Sequence, residues 1–190
     1  MSVATREEIK NVVQGKMTPR RFDHTLSVAK MAKDLARVHG VDEENAEIVG
    51  LIHDVAQEFN AKQIRGMLML ENQLEILKCD ASLWHAPMGA IIAKATFSVY
   101  DSDMLHAIKY HVTGRPEMSE LEKVLFVANV IEPNRTCPMS ARVRAVYEAS
   151  GDLNAAVCEV LKQKNIKSPD AQAALAYYEA KTGNGMTHTG

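Results

Sequence analysis

The chain has 190 residues, 46% of them hydrophobic and 24% charged, the proportions of an ordinary soluble globular protein with room for one substantial core and little for a second. Its formal net charge of −2 argues against a general nucleic-acid binder, which concentrates a basic surplus on one face, so a phosphate-bearing partner has to be met by a few local cations. Three cysteines, Cys79, Cys137 and Cys158, are odd in number and unevenly spaced, which excludes a disulfide framework and fits a reducing cytoplasm.

The first residues, MSVATREEIKNVV, carry charges where a signal peptide has its apolar core, and no apolar run approaches the ~18 residues expected of a membrane span. Ala, Leu, Met, Glu and Lys are plentiful and aromatics few, which predicts an all-α protein. Thr5 followed by Glu8 forms a capping box for a short first helix ending near Gly15. Thr18-Pro19 starts a long second helix, whose stripe of Phe22, Leu26, Ala29, Ala32, Leu35 and Ala36 runs to a glycine stop at Gly40. Asp42 caps a third, mostly apolar helix that ends on His53-Asp54. Asn60 opens a fourth, with Ile64, Met67 and Leu68 at helical spacing. An ambiguous amphipathic piece covers Leu74 to Leu77.

Helices follow from about Pro87, with His85 just before, and from Ser102 to the breakers Gly114 and Pro116. The next starts at Ser119, with Glu122 at capping-box distance, and stops at Pro133. Its run VLFVANVI has a strand-like composition, but the cap and the flanking charges favour a buried helix. The last three helices span Ser140–Ala149, Asp152–Lys164 and Ser168–Lys181, and AALAYYEAK in the last either closes the core or supplies a homodimer face. The expected organisation is one all-α helical domain over residues 1–183 and a frayed tail over 184–190.

Several polar residues sit awkwardly in such a bundle: His24, His53, Asp54, His85, His111 and Asn129 fall on or beside largely apolar helices. Burying an ionised Asp54 beside an imidazole costs several kcal/mol unless something compensates. A divalent cation compensates and uses both side chains as ligands; a His-Asp hydrogen bond closing a helix in an inert bundle is the alternative, and spacing alone leaves the two open. His106 stands about 140° from His111 round a helix, so the two do not face one ion. His39 reads as an exposed residue at a helix C-terminus, and His188 belongs to the tail. Trp84 and Tyr110 offer surfaces for a base, Trp84 more simply as core. Met67, Met69 and Met88 read as core filler.

The order of these residues resembles the HD superfamily of metal-dependent phosphohydrolases, helical proteins with the pattern His, His-Asp and a later Asp. The blocks RRFDHTLSVAKMAKDLA, GLIHDVAQEF, WHAPMGA and AIKYHVTGRPEMSELEKVLFVANVIEPNR, a core spanning residues 20–135, are similar to the branch that hydrolyses dinucleoside tetraphosphates symmetrically. That branch is also associated with NAD metabolism. The resemblance implies a helical bundle of the HD type, with His24, His53 and Asp54 as first metal ligands and Asp54 bridging to a second ion held by His85 and His111. Asn129 stands where the family has its final aspartate ligand, and Gln57 where many relatives have lysine. Arg21, Thr113, Gly114, Arg115, Glu132 and Arg135 match positions lining the substrate cleft, with Arg115 and Arg21 as the cations beside Asp54 in catalysis.

Imidazole and carboxylate donors suit one or two transition ions, iron first, with manganese, cobalt or zinc also fitting, better than magnesium. The implied reaction is cleavage of a diadenosine-type tetraphosphate to two nucleoside diphosphates by metal-activated water. Two alternatives stand beside it: an HD phosphohydrolase that keeps the metal site and acts on another nucleotide, and a nucleotide-binding sensor that turns over poorly, supported by Asn129, which brings no charge to a metal.

Overall fold

The computed structural model describes residues 3–183, so the expected tail and His188 lie outside the described residues. Among those residues there are ten α-helices and no strand: α1 Arg6–Gln14, α2 Pro19–His39, α3 Glu43–Ile52, α4 Ala61–Leu70, α5 His85–Phe97, α6 Ser102–Tyr110, α7 Glu120–Ile131, α8 Pro138–Ser150, α9 Leu153–Lys164 and α10 Pro169–Gly183.

The capping signals read at Thr5, Thr18, Asp42, Asn60 and Ser119 hold the starts of α1, α2, α3, α4 and α7 in place. Thr5 and Glu8 close a reciprocal box, as do Asn60 with Gln63 and Ser119 with Glu122, so backbone N–H groups that lack helical partners are satisfied locally. Thr18 accepts from the Arg21 N–H with Pro19 in the first turn, and Gly40 ends α2 at φ 68°, a left-handed cap that glycine adopts freely. Several boundaries differ from expectation, and α8 starts at Pro138 rather than Ser140. The cap of α6 is Asp101, whose carboxylate accepts from the Asp103 and Met104 N–H groups and so outcompetes the Ser102 hydroxyl. His85 lies inside α5, with Pro87 tolerated in its first turn. Residues Ile76–Lys78 form a single 3-10 turn.

The helix built on VLFVANVI is the axis of the bundle. Every residue of α7 from Leu121 to Ile131 is buried, and α2, α3, α6, α8 and α9 surround it, which explains why its sequence lacks the polar face of a surface helix. Trp84 is buried as expected, its indole N–H donating to the carbonyls of Ile76 and Cys79. Met88 is core, whereas Met67 and Met69 on α4 are exposed, because α4 packs only along its Ile64 and Leu68 edge. His39 is half-buried and pairs with the Tyr147 hydroxyl at 2.8 Å, since α8 passes beside the end of α2.

The closest crossing that bears on function is α2 against α3. A Cβ on Gly50 would stand 2.5 Å from the Ala29 Cα, so only glycine lets the helix carrying His24 approach the one ending in His53. We expect Gly50→Ala to cost about 1–3 kcal/mol by overpacking, read as a fall of several degrees in Tm for a chain of this length. Gly66→Ala on α4, with nothing within 4 Å of the new methyl, is the matched control and gains about 0.5–1 kcal/mol of helix propensity. Equal Tm values for the two variants would show that the α2–α3 crossing tolerates a methyl.

Candidate metal centre

Two helix ends and one helix start deliver three imidazoles to the same point. His53 and His111 are the C-cap residues of α3 and α6, where the last carbonyls of a helix lack intrahelical donors. Each ring fills that vacancy: Nδ1–H of His53 donates to the Gly50 carbonyl at 2.7 Å, and that of His111 to the Ile108 carbonyl at 2.7 Å. His85 does the same at the start of α5, donating to the Ser82 carbonyl at 2.8 Å. His24, in the second turn of α2, turns Nδ1 to the Glu132 carboxylate at 3.0 Å. All four Nδ1 atoms are therefore held from behind, which orients each ring and, in the neutral imidazole, turns the Nε2 lone pair forward.

Those lone pairs converge on Asp54. Its Oδ2 lies 3.6 Å from His53 Nε2, and its Oδ1 lies 3.4 and 3.6 Å from Nε2 of His111 and His85. Two donors on one tetrahedral ion, each about 2.1 Å from it, stand about 3.4 Å apart, which is the spacing found here. Two sets of donors lie within 4.8 Å of one another, His24 with His53 and Asp54, and Asp54 with His85 and His111. Asp54 is common to both, one oxygen facing each set.

The donors fit a cation on this structure's own terms. His53 Nε2 is buried with no hydrogen-bond partner, and His85 Nε2 faces His111 Nε2 at 3.3 Å, lone pair against lone pair. Burial, with the neighbouring histidines, pushes the His53 imidazole down to about 3 and that of His85 to about 4, so both are neutral and ligand-competent near pH 7. Burial opposes the Asp54 charge, but His53, His111 and His85 outweigh it and hold its carboxyl well below the usual range.

Asn129 places its Oδ1 3.2 Å from His24 Nε2, at the edge of the first donor set. Glu132, matched above to the substrate cleft, is almost wholly buried, lines the edge of that cleft and binds His24. Burial works against its charge, but hydrogen bonds from His24, Ser27 and the Asn134 N–H hold its carboxyl below the usual range. Arg21 reaches Asp54 Oδ2 at 3.4 Å while its Nε binds Glu58 at 2.8 Å. The centre's His24 side opens on a cleft of about 1250 Å³, lined by Arg20, Arg21, Lys30 and Arg135 as well as by His24 and Glu132.

The other residues of the motif lie apart from these donors. Arg115 lays its fork on Glu122, Nε at 2.8 Å and Nη2 at 2.5 Å, because that fully buried carboxylate requires a bidentate partner. Gly114, at φ 64°, packs on Phe126 and Leu161. Thr113 is buried and lines a second cavity. Gln57 is half-buried in the turn after Asp54 and is not among the cleft's lining residues. Exposed His106 stays outside the cluster.

Two cations went unread in the sequence because their partners are remote in it. Arg144 of α8 donates to the carbonyls of Ile131, Glu132 and Arg135 at 2.9, 2.6 and 2.6 Å, clamping the turn that carries Glu132 and Arg135. Lys164, at the end of α9, donates to the Val112 carbonyl at 3.2 Å and lies over the Phe126 ring. Burial, aided by Arg135, pushes its ammonium down to about 7.

Comparison with known proteins places this geometry. The HD domain family model matches residues 21–134. A symmetrical bis(5'-nucleosyl)-tetraphosphatase of Bacillus subtilis is 39% identical over 158 residues, 83% of this chain and 84% of that one. The enzyme of the same name in Halalkalibacterium halodurans is 38% identical over 157 residues, 82% and 83% of the two chains. A crystal structure described as a predicted HD superfamily hydrolase involved in NAD metabolism, from Clostridium acetobutylicum, superposes with a TM-score of 0.87 at 28% identity, covering 95% of this chain and 100% of that one. With a match across residues 21–134 and two relatives close to 40% identical over most of their length, the chain belongs to the HD domain family.

Proposed function

We propose that this protein is a metal-dependent phosphohydrolase that cuts dinucleoside tetraphosphates in the middle to give two nucleoside diphosphates. The observation that carries the reading is the convergence of four histidine Nε2 atoms on a shared Asp54 carboxylate beside a cleft lined by arginines and lysine. The relatives named for symmetrical cleavage of such substrates supply the substrate class.

His24, His53, Asp54, His85 and His111, with Asn129 at the edge, hold one or two divalent ions of the first transition row, iron above manganese, cobalt or zinc. Bound there, such ions supply Lewis acidity and lower the pKa of water toward neutrality. Nδ1 hydrogen bonds keep the four imidazoles in the ligating tautomer, and Glu132 raises the basicity of His24. Arg21 reaches Asp54 from the cleft side and, with Arg135, meets charge on the phosphate chain as it develops. Arg144 fixes the turn that presents Arg135, and Arg115, bound to Glu122, supports the segment after His111. In the balanced reaction water's oxygen bonds to one central phosphorus, the bridging oxygen leaves with the other half, and each half departs as a nucleoside diphosphate.

Diadenosine tetraphosphate turned over by metal-loaded protein is expected to give ADP alone on anion-exchange chromatography; equal AMP and ATP would overturn the symmetrical reading. Glu132→Gln, which leaves His24 in place but removes the charge behind it, is expected to weaken metal binding about 10–100-fold, measured by competition with a calibrated chelator. An affinity equal to wild type would detach Glu132 from the centre. Asn129→Asp adds an anionic oxygen near His24 Nε2 and is expected to raise metal content after dialysis against limiting metal. Unchanged content in that variant would remove Asn129 from the ligand set.

A further inference from the structure

The candidate ligands form a row. Ring centroids step 5.7 Å from His24 to His53, 5.0 Å from His53 to His111 and 5.2 Å from His111 to His85, so His24 and His85 stand at opposite ends with Asp54 between the two sets. Only the His24 end lines the arginine-rich cleft, and that cleft has no Phe, Tyr or Trp in its lining. A substrate cut at its midpoint has two equal arms, and one cleft at one end of the row accommodates one of them.

A second cavity, of about 600 Å³, lies at the other end. Its walls include Leu83 and Pro87, each two residues from His85, and Tyr110 and Thr113, one and two residues from His111. Two residues of chain reach at most ~7 Å, so the cavity is within a short phosphate arm of the Asp54–His85–His111 set. The volume falls in the ~300–1,000 Å³ range of small-molecule sites. Ile76, Leu83 and Pro87 make an apolar wall. Lys109, Lys167 and Lys78, the last paired with Glu75 at 2.7 Å, add cations beside the carboxylates of Glu75 and Asp170, and the half-buried Tyr110 contributes a ring that Lys109 and Arg115 approach at 5.3 and 5.7 Å. Apolar walls, a ring and scattered lysines suit a nucleoside carrying phosphate better than a bare phosphate chain.

We infer that this cavity is the subsite for the second nucleoside of the substrate, with the Tyr110 ring as the surface on which its base stacks. The inference rests on the dinucleoside tetraphosphate reading and extends it: one arm lies along Arg21 and Arg135, the other passes His85 and His111 into the cavity. It makes the protein select for a nucleoside at both ends of the chain of phosphates.

The test compares diadenosine tetraphosphate with adenosine 5'-tetraphosphate, which has the same phosphates and one nucleoside. Two variants change the cavity: Tyr110→Leu removes the ring, and Leu74→Trp fills the cavity from a side chain that is 48% exposed, so its folding is not at stake. Because stacking on an aromatic side chain is worth about tenfold or more per base, each variant is expected to raise KM for diadenosine tetraphosphate about tenfold. KM for adenosine 5'-tetraphosphate should move less than about twofold on the same scale. Equal changes for both substrates, or none, would overturn the assignment. Trp84, the sole tryptophan, donates to the carbonyls of Ile76 and Cys79 in the cavity wall. Adenosine titrated into the protein should therefore shift its emission, and a shift of the same size in Tyr110→Leu would count against stacking. Should wild type release AMP and ATP, the symmetrical reading falls, while the difference in KM between the two substrates still reports on the cavity.

Discussion

One electrostatic conflict organises the protein. Four imidazole nitrogens and an ionised carboxylate are gathered in a mostly dry core, where Arg21, 3.4 Å from Asp54 Oδ2 and shared with Glu58, is the cation that meets them from the front. Each Nδ1 is satisfied from behind by a carbonyl or by Glu132, so no ring can reverse its polarity without orphaning a buried partner. Only a cation placed between them reconciles the group. In its absence the arrangement costs free energy, and binding such an ion returns that cost as stability.

The bundle is shaped to hold this arrangement. Helix α7 fills the centre with apolar side chains and offers Asn129 and then Glu132 to His24 only at its C-terminal end. Gly50 serves twice: its missing side chain lets α2 meet α3, and its carbonyl orients His53. Arg144 ties off the carbonyls that end α7, a cation at a helix C-terminus where the dipole favours one. Stability and function thus share residues, and a substitution in these positions acts on both.

The departure at Asn129 falls on one half of the centre. Each half has two imidazoles and shares Asp54, and the His24 side adds the Asn129 amide where a carboxylate would add charge. The cationic cleft lies at that end, where Arg21 and Arg135 supply positive charge from the protein itself.

The chain by itself determined its helices and the identity of its candidate ligating side chains. Caps at Thr5, Thr18, Asp42, Asn60 and Ser119 are local chemistry, so they were legible, as was the burial of VLFVANVI. The misplaced cap at Ser102 shows the limit even there: Asp101, one residue away, has the better acceptor. The motif blocks named His24, His53, Asp54, His85 and His111, and the fold brings all five together. Only the tertiary structure decided what the remaining residues do. Glu132 at the cleft edge binds His24, Arg115 turned to Glu122, and Arg144 and Lys164 arrived from helices late in the chain. Those outcomes depend on which buried charge finds a partner first across the bundle, a competition among residues far apart in sequence that no local pattern records.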